Sequence, residues 1–166
     1  PAGIAGAVRR ALTRHFRPRP RVRAGAALAR RGLASAVIDV SDGLAGDLLH
    51  LCQASGVGAR VEGRAVPVDR AAAALGAWLR TDPLAWALSG GEDFELLFTT
   101  SASPAAVRKA LARAGAGGVT AIGRILPASA GLSLRHPDGT LSPLRGGFEH
   151  FRSATSFHLD SRRPFR

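Results

Sequence analysis

Ala36-Val37-Ile38-Asp39-Val40-Ser41-Asp42-Gly43-Leu44 is a short apolar run that breaks into acid, hydroxyl, acid and glycine before Ala45-Gly46-Asp47-Leu48-Leu49 opens a helical pattern. It reads as strand, tight turn and helix start. Strand alternation sets Asp39 and Ser41 on one side of the strand's carboxyl end. Asp42 and Gly43 fall at the helix amino terminus, where free backbone N–H groups and the helix dipole attract phosphate oxygens. Carboxylates beside a phosphate cradle imply a divalent cation between them, because two anionic groups otherwise repel. An ordinary Asp N-cap with a Ser-Asp turn is the competing reading of the same residues.

Downstream, the helix runs to about Ala54 and stops at Gly56-Val57-Gly58, a strand follows over Ala59–Glu62, and Val66-Pro67-Val68-Asp69 leads into an alanine-rich helix near 69–79. Asp82-Pro83 starts another helix, which ends in Ser89-Gly90-Gly91-Glu92-Asp93-Phe94-Glu95-Leu96-Leu97-Phe98-Thr99. Gly90 and Gly91 permit a turn closed to most side chains, and three acids in four residues (Glu92, Asp93, Glu95) at the mouth of a buried strand are costly without cations or donors. A polar helix-to-strand loop is the plain alternative. Ser103-Pro104 caps a helix over 104–114, Val119–Ile125 reads as a strand, and Leu132–Arg135, the turn at His136-Pro137-Asp138-Gly139 and Leu141 read as a hairpin. Gly147-Phe148-Glu149-His150-Phe151 sets an aromatic pair on a glycine hinge, where core plugging competes with a ligand role. The basic residues from Arg152 onward are expected to fray.

Upstream, residues 3–16 place Ile4, Val8, Leu12 and Phe16 at helical spacing, Arg17-Pro18-Arg19-Pro20-Arg21 ends that helix, and Val22–Arg31 forms a second short helix with Gly32 as its C-cap. Between Arg9 and Arg31 there are many arginines and no acid, which suggests a solvated face or a contact surface for another domain or for phosphates. The alternation of helices with short strands predicts an α/β (α+β) fold, a mixed β-sheet with helices packed on it.

The chain has 166 residues and a net charge of +11, with Lys109 its only lysine. That length fits one domain, and an arginine bias shared with abundant Ala, Gly and Pro weakens the charge as a sign of nucleic acid. No aromatic interleaving or zinc-finger spacing accompanies it, and no apolar stretch approaches the roughly 20 residues that span a bilayer. The single cysteine, Cys52, excludes an internal disulfide and sits where packing is expected. A chain with no methionine that starts at Pro1 is expected to be part of a longer product.

Together, Ile38–Leu44, Leu88–Phe98, Ile122-Gly123-Arg124-Ile125 and Gly147–Phe151 resemble, in order, the carboxyl-terminal half of bacterial thiamine-monophosphate kinases, and Arg17–Val22 resembles the segment entering that half. The resemblance implies an architecture like the carboxyl-terminal domain of aminoimidazole ribonucleotide synthetase. Residues 1–22 would form a helix and entry segment, 23–151 the α/β domain and 152–166 a basic tail. It implies a cytoplasmic, homodimeric enzyme whose amino-terminal domain lies outside this chain, and which transfers the γ-phosphoryl group of ATP to thiamine monophosphate with Mg2+. Asp39 and Asp42 would hold metal, Ser41 would meet nucleotide phosphates, and Glu92 or Asp93 would face the cationic thiamine ring. Phe148 would pack on that ring, with Gly90 and Gly91 as backbone contacts. This half alone would turn over nothing measurable. A different ATP-dependent synthetase of the superfamily, such as a selenophosphate synthetase, is the alternative enzyme reading, and a basic nucleic-acid-binding module the non-enzymatic one.

Overall fold

Helix α1 (Ala2–Phe16) opens the chain, and the two prolines after it give way to α2 (Val22–Arg30), as the spacing predicts. The computed structural model describes residues 2–145, so Phe148 and the basic tail lie outside the described residues. The acid-rich stretch divides as its pattern requires, into strand β1 (Ala36–Val40) and helix α3 (Leu44–Ser55). Gly56 caps α3 in the left-handed region, and β2 (Val57–Glu62) begins at once. A 3-10 turn at Gly63–Ala65 leads to α4 (Arg70–Leu79), whose N-cap Asp69 accepts from the Ala71 N–H at 2.8 Å. Asp82 does the same for α5 (Pro83–Ser89), accepting from the Leu84 N–H at 2.9 Å. Then come β3 (Glu95–Thr99), α6 (Pro104–Arg113) behind N-cap Ser103, β4 (Gly123–Pro127), β5 (Leu132–Arg135) and β6 (Leu141–Pro143).

Among the described residues the strands form two sheets. β1 and β3 pair antiparallel as a ribbon, with Asp39 opposite Leu96 and Val40 opposite Glu95. The second sheet runs β4-β2-β5-β6, with β2 antiparallel to β4 and parallel to β5. The mixed character lies in this second sheet, and β5 and β6 make the expected hairpin.

One strand is shorter than its sequence suggests. Residues 119–122 stay outside β4: past the bond from the Glu62 N–H to the Ile122 carbonyl, β2 turns into its 3-10 segment and offers no edge. Val119 instead packs with α2 and α6.

Two apolar clusters hold the molecule together, and the ribbon lies between them. Val40 and Leu97 join Leu44, Leu48, Cys52, Ala59, Val61 and Leu134 in the larger cluster, which ties α3 to both sheets. Phe98, on the other face of β3, packs with Leu28 of α2 and Val107 and Leu111 of α6. Cys52 is buried, and burial pushes its thiol pKa up, as befits packing rather than reactivity. Among the described residues, no helix is long and apolar enough to cross a membrane.

Candidate active site

The turn after β1 is built around a residue whose sequence position gave it no role. Asp47 lies one turn into α3, on the face of Leu44, Leu48 and Leu51, and is 2 % exposed. A carboxylate in that setting needs donors. It finds them in the backbone: Asp47 Oδ2 accepts from the Ser41 N–H at 2.9 Å and from the Asp42 N–H at 3.0 Å. The free N–H expected at Asp42 is therefore committed to Asp47, so the phosphate cradle read from the sequence loses that donor. The N-cap of α3 is Gly43, at φ 99°, and not Asp42. The signal that would have found Asp47 was available, an acid inside an otherwise apolar helical stripe.

The glycine loop folds directly onto this turn. The Glu92 N–H donates to the Ser41 carbonyl at 2.8 Å and the Phe94 N–H to the Val40 carbonyl at 2.8 Å, extending the ribbon's antiparallel bonding beyond its last paired residues. Gly91 lies so close that a Cβ there would come within 2.5 Å of the Ser41 carbonyl oxygen. Gly43 presses in the same way on the end of α5, where a Cβ would meet the Ser89 carbonyl carbon at 3.0 Å. The two acid-bearing motifs, 50 residues apart, thus meet backbone to backbone without room for a methyl group. Gly91→Ala should therefore cost about 1–3 kcal/mol in urea unfolding and part the loop from the turn. Loss of the slowed exchange of the Glu92 and Phe94 amides would report that parting.

Of the predicted site residues, Asp39 is exposed at the end of β1, while Ser41 and Asp42 are half-buried in the turn. Glu92 and Phe94 adopt positive φ, 68° and 49°, in a region that side chains occupy only when their surroundings hold them there. Glu92 lies 3.3 Å from His15 Nδ1, and Glu95 takes a two-pronged bond from Arg21, with Nε to Oε2 at 2.8 Å. The bond to Glu95 pushes the Arg21 guanidinium pKa further up. Arg14 reaches Asp69 at 3.4 Å. Part of the acid-free arginine run is thus spent on carboxylates elsewhere in the chain, a pairing that local sequence does not reveal.

Asp93 has no cationic partner among the described residues. Although the residue presents surface to solvent, the protein crowds its carboxyl group; this desolvation, and then the charge of Glu95, push its pKa above the ordinary aspartate value. The folded state therefore holds the proton more tightly than the unfolded chain. Stability falls as pH rises from the ordinary aspartate pKa, about 3.9, through the raised folded value. Asp93→Asn removes that penalty. The variant should melt higher than the parent at neutral pH, and the gain should vanish on acidification below the ordinary aspartate range.

Among the described residues, no group of three or more His, Cys, Asp or Glu side chains is arranged to hold a metal ion. A complete protein cage for Ca2+ or Zn2+ is therefore not what these residues offer. A cation that keeps several waters and takes part of its shell from substrate phosphates, as Mg2+ does, asks for only one or two carboxylates from the protein. The Ile122–Ile125 motif lies in the four-stranded sheet, where Gly123 pairs with Val61 and the Ile122 carbonyl accepts from the Glu62 N–H at 2.8 Å. Its role there is architectural.

Comparison with known proteins places this fold in a family. Residues 4–132 match the family model "AIR synthase related protein, C-terminal domain", and the chain belongs to that family. Within it, the chain is similar to thiamine-monophosphate kinases. It is 51 % identical to that of Salmonella typhimurium over 88 residues, 53 % of this chain and 26 % of the relative. With that of Buchnera aphidicola subsp. Schizaphis graminum it shares 35 % identity over 146 residues, 84 % of this chain and 42 % of the relative. The solved structure of AaThiL complexed with AMPPCP and TMP superposes with a TM-score of 0.65 at 28 % identity, over 84 % of this chain and 40 % of that one. The resemblance read from the motifs is borne out, as is the α/β fold. The chain spans less than half the length of each of these relatives.

Proposed function

We propose that this chain is the carboxyl-terminal half of an ATP- and Mg2+-dependent kinase that phosphorylates thiamine monophosphate to thiamine diphosphate. The observation that carries the reading is the direct contact of the Asp39–Gly43 turn with the Gly90–Glu95 loop, which unites the two acidic motifs of the resemblance in one corner. The relatives' activity and the AMPPCP and TMP of the AaThiL complex support ATP and thiamine monophosphate as the pair of substrates.

Phosphoryl transfer asks the protein for placement and for cancellation of charge, with little covalent chemistry. Asp39 and Asp42 would hold Mg2+, which when bound neutralises charge on the phosphate oxygens. The Asp47 carboxylate holds the backbone N–H groups of Ser41 and Asp42, and from that turn the Ser41 hydroxyl would meet nucleotide phosphates. Asp93, lacking a cationic partner among the described residues, is the better candidate than Glu92 to face the positively charged ring of thiamine. Gly90 and Gly91 bring the loop backbone to the same corner. Phe148, outside the described residues, is proposed to stack on that ring.

The test is to join this chain to the amino-terminal domain of a thiamine-monophosphate kinase and measure thiamine diphosphate formation from ATP. Turnover that needs Mg2+ and both halves supports the reading. Production of a different phosphorylated compound would favour a synthetase of the same superfamily, and no turnover with any substrate of that group would overturn it. We further propose that the complete protein is a cytoplasmic homodimer and that this half alone is inactive.

A further inference from the structure

We propose that the last turn of α1 and the entry segment after it form a clamp that positions the acidic loop, with Arg21 as the positioning residue for the substrate-facing carboxylate; the substrate part of this inference rests on the kinase reading above. Residues 14–21 reach three carboxylates on three separate elements. Arg14 reaches Asp69 before α4, His15 reaches Glu92 in the loop, and Arg21 grips Glu95 at the first residue of β3. The last two bracket Asp93: the Glu95 end of the short segment that offers it is hydrogen-bonded to Arg21, and the Glu92 end lies 3.3 Å from His15 Nδ1.

The loop needs such ties. Glu92 and Phe94 sit at positive φ, a conformation that does not persist without restraint from outside. On one side the restraint is the pair of backbone bonds to Ser41 and Val40. On the other it is Arg21. The planar fork of Arg21 engages both oxygens of Glu95, which fixes direction as well as distance, and a lysine could not reproduce that. α2 follows Arg21 immediately and packs on the ribbon, where a Cβ on Gly25 would stand 3.7 Å from the Leu96 side chain. The fork is thereby held at its base by a packed helix.

Hydrogen exchange on this chain and kinetics on the rejoined kinase together test the clamp. In Arg21→Met, the Glu92 and Phe94 amides should exchange about tenfold faster or more, with β2 amides unchanged, and Arg21→Lys should fall between parent and Met. Glu95→Gln, which weakens the same pair from the other partner, gives the same result by an independent route and decides the matter if Arg21→Met does not fold. In the rejoined enzyme, Arg21→Met should raise KM for thiamine monophosphate about fivefold or more while kcat and KM for ATP move less than about twofold. Loop amides that exchange no faster than in the parent, or only in step with β2, would overturn the clamp. Loosened amides with both KM values shifting alike would overturn the positioning role and leave a structural tie. If the parent enzyme turns over no thiamine monophosphate, the kinase reading fails while the exchange result still decides the clamp.

Discussion

Asp42→Asn is expected to lower thiamine diphosphate formation in the rejoined kinase by about a thousandfold, the scale set by removing one charge-stabilising group from a preorganised site. Asparagine keeps the shape of the side chain and leaves the backbone N–H of residue 42 to its bond with Asp47. What it removes is the negative charge that would draw Mg2+ into the corner. The unfolding free energy measured in urea should change by about 1 kcal/mol or less, far less than the loss of activity. Raising Mg2+ should restore part of the activity if the lesion is in metal binding. Undiminished turnover in Asp42→Asn would remove the turn from the chemistry and leave it a structural corner.

Asp47→Ala should do the reverse in its first effect: it should destabilise the chain by about 3 kcal/mol, because two backbone N–H groups lose a charged acceptor at once and a cavity opens on the apolar face of α3. Equilibrium urea unfolding measures this directly. Activity of the molecules that remain folded should fall as well, since the two peptide units of the turn are then held only through their carbonyls, by the Glu92 and Phe94 N–H groups. The two aspartates, five residues apart, are thus distinguished by which property fails. A stability loss below about 1 kcal/mol in Asp47→Ala would mean that the turn is held by the glycine loop alone.

Much of the frame was legible because its causes are local. The helix starts at Asp69, Asp82 and Ser103 are written in side chains that accept from the helix's own first N–H groups, and the sequence displays them in place. The turn after β1 and the break at Gly90-Gly91 follow in the same way from residue chemistry. The separation of the strands into two sheets was not legible, nor was the early end of β2 that leaves residues 119–121 unpaired, since pairing depends on an edge contributed from far along the chain. Asp47 was legible in type, as an acid on the apolar stripe of α3, but not in partners, because the N–H groups it holds belong to a turn whose shape sequence does not give. Arg14, His15 and Arg21 were hidden differently: as part of a basic segment they suggested solvent or an external anion, and the carboxylates they meet lie 55, 77 and 74 residues away.

The ribbon of β1 and β3 has a different apolar cluster against each face, Val40 and Leu97 against one and Phe98 against the other. Stripping away α2 and α6 would lay Phe98 bare, and stripping away α3 would do the same to Val40 and Leu97. Anyone hoping to whittle the chain down to a miniature that still carries the acid corner will find no seam to cut along.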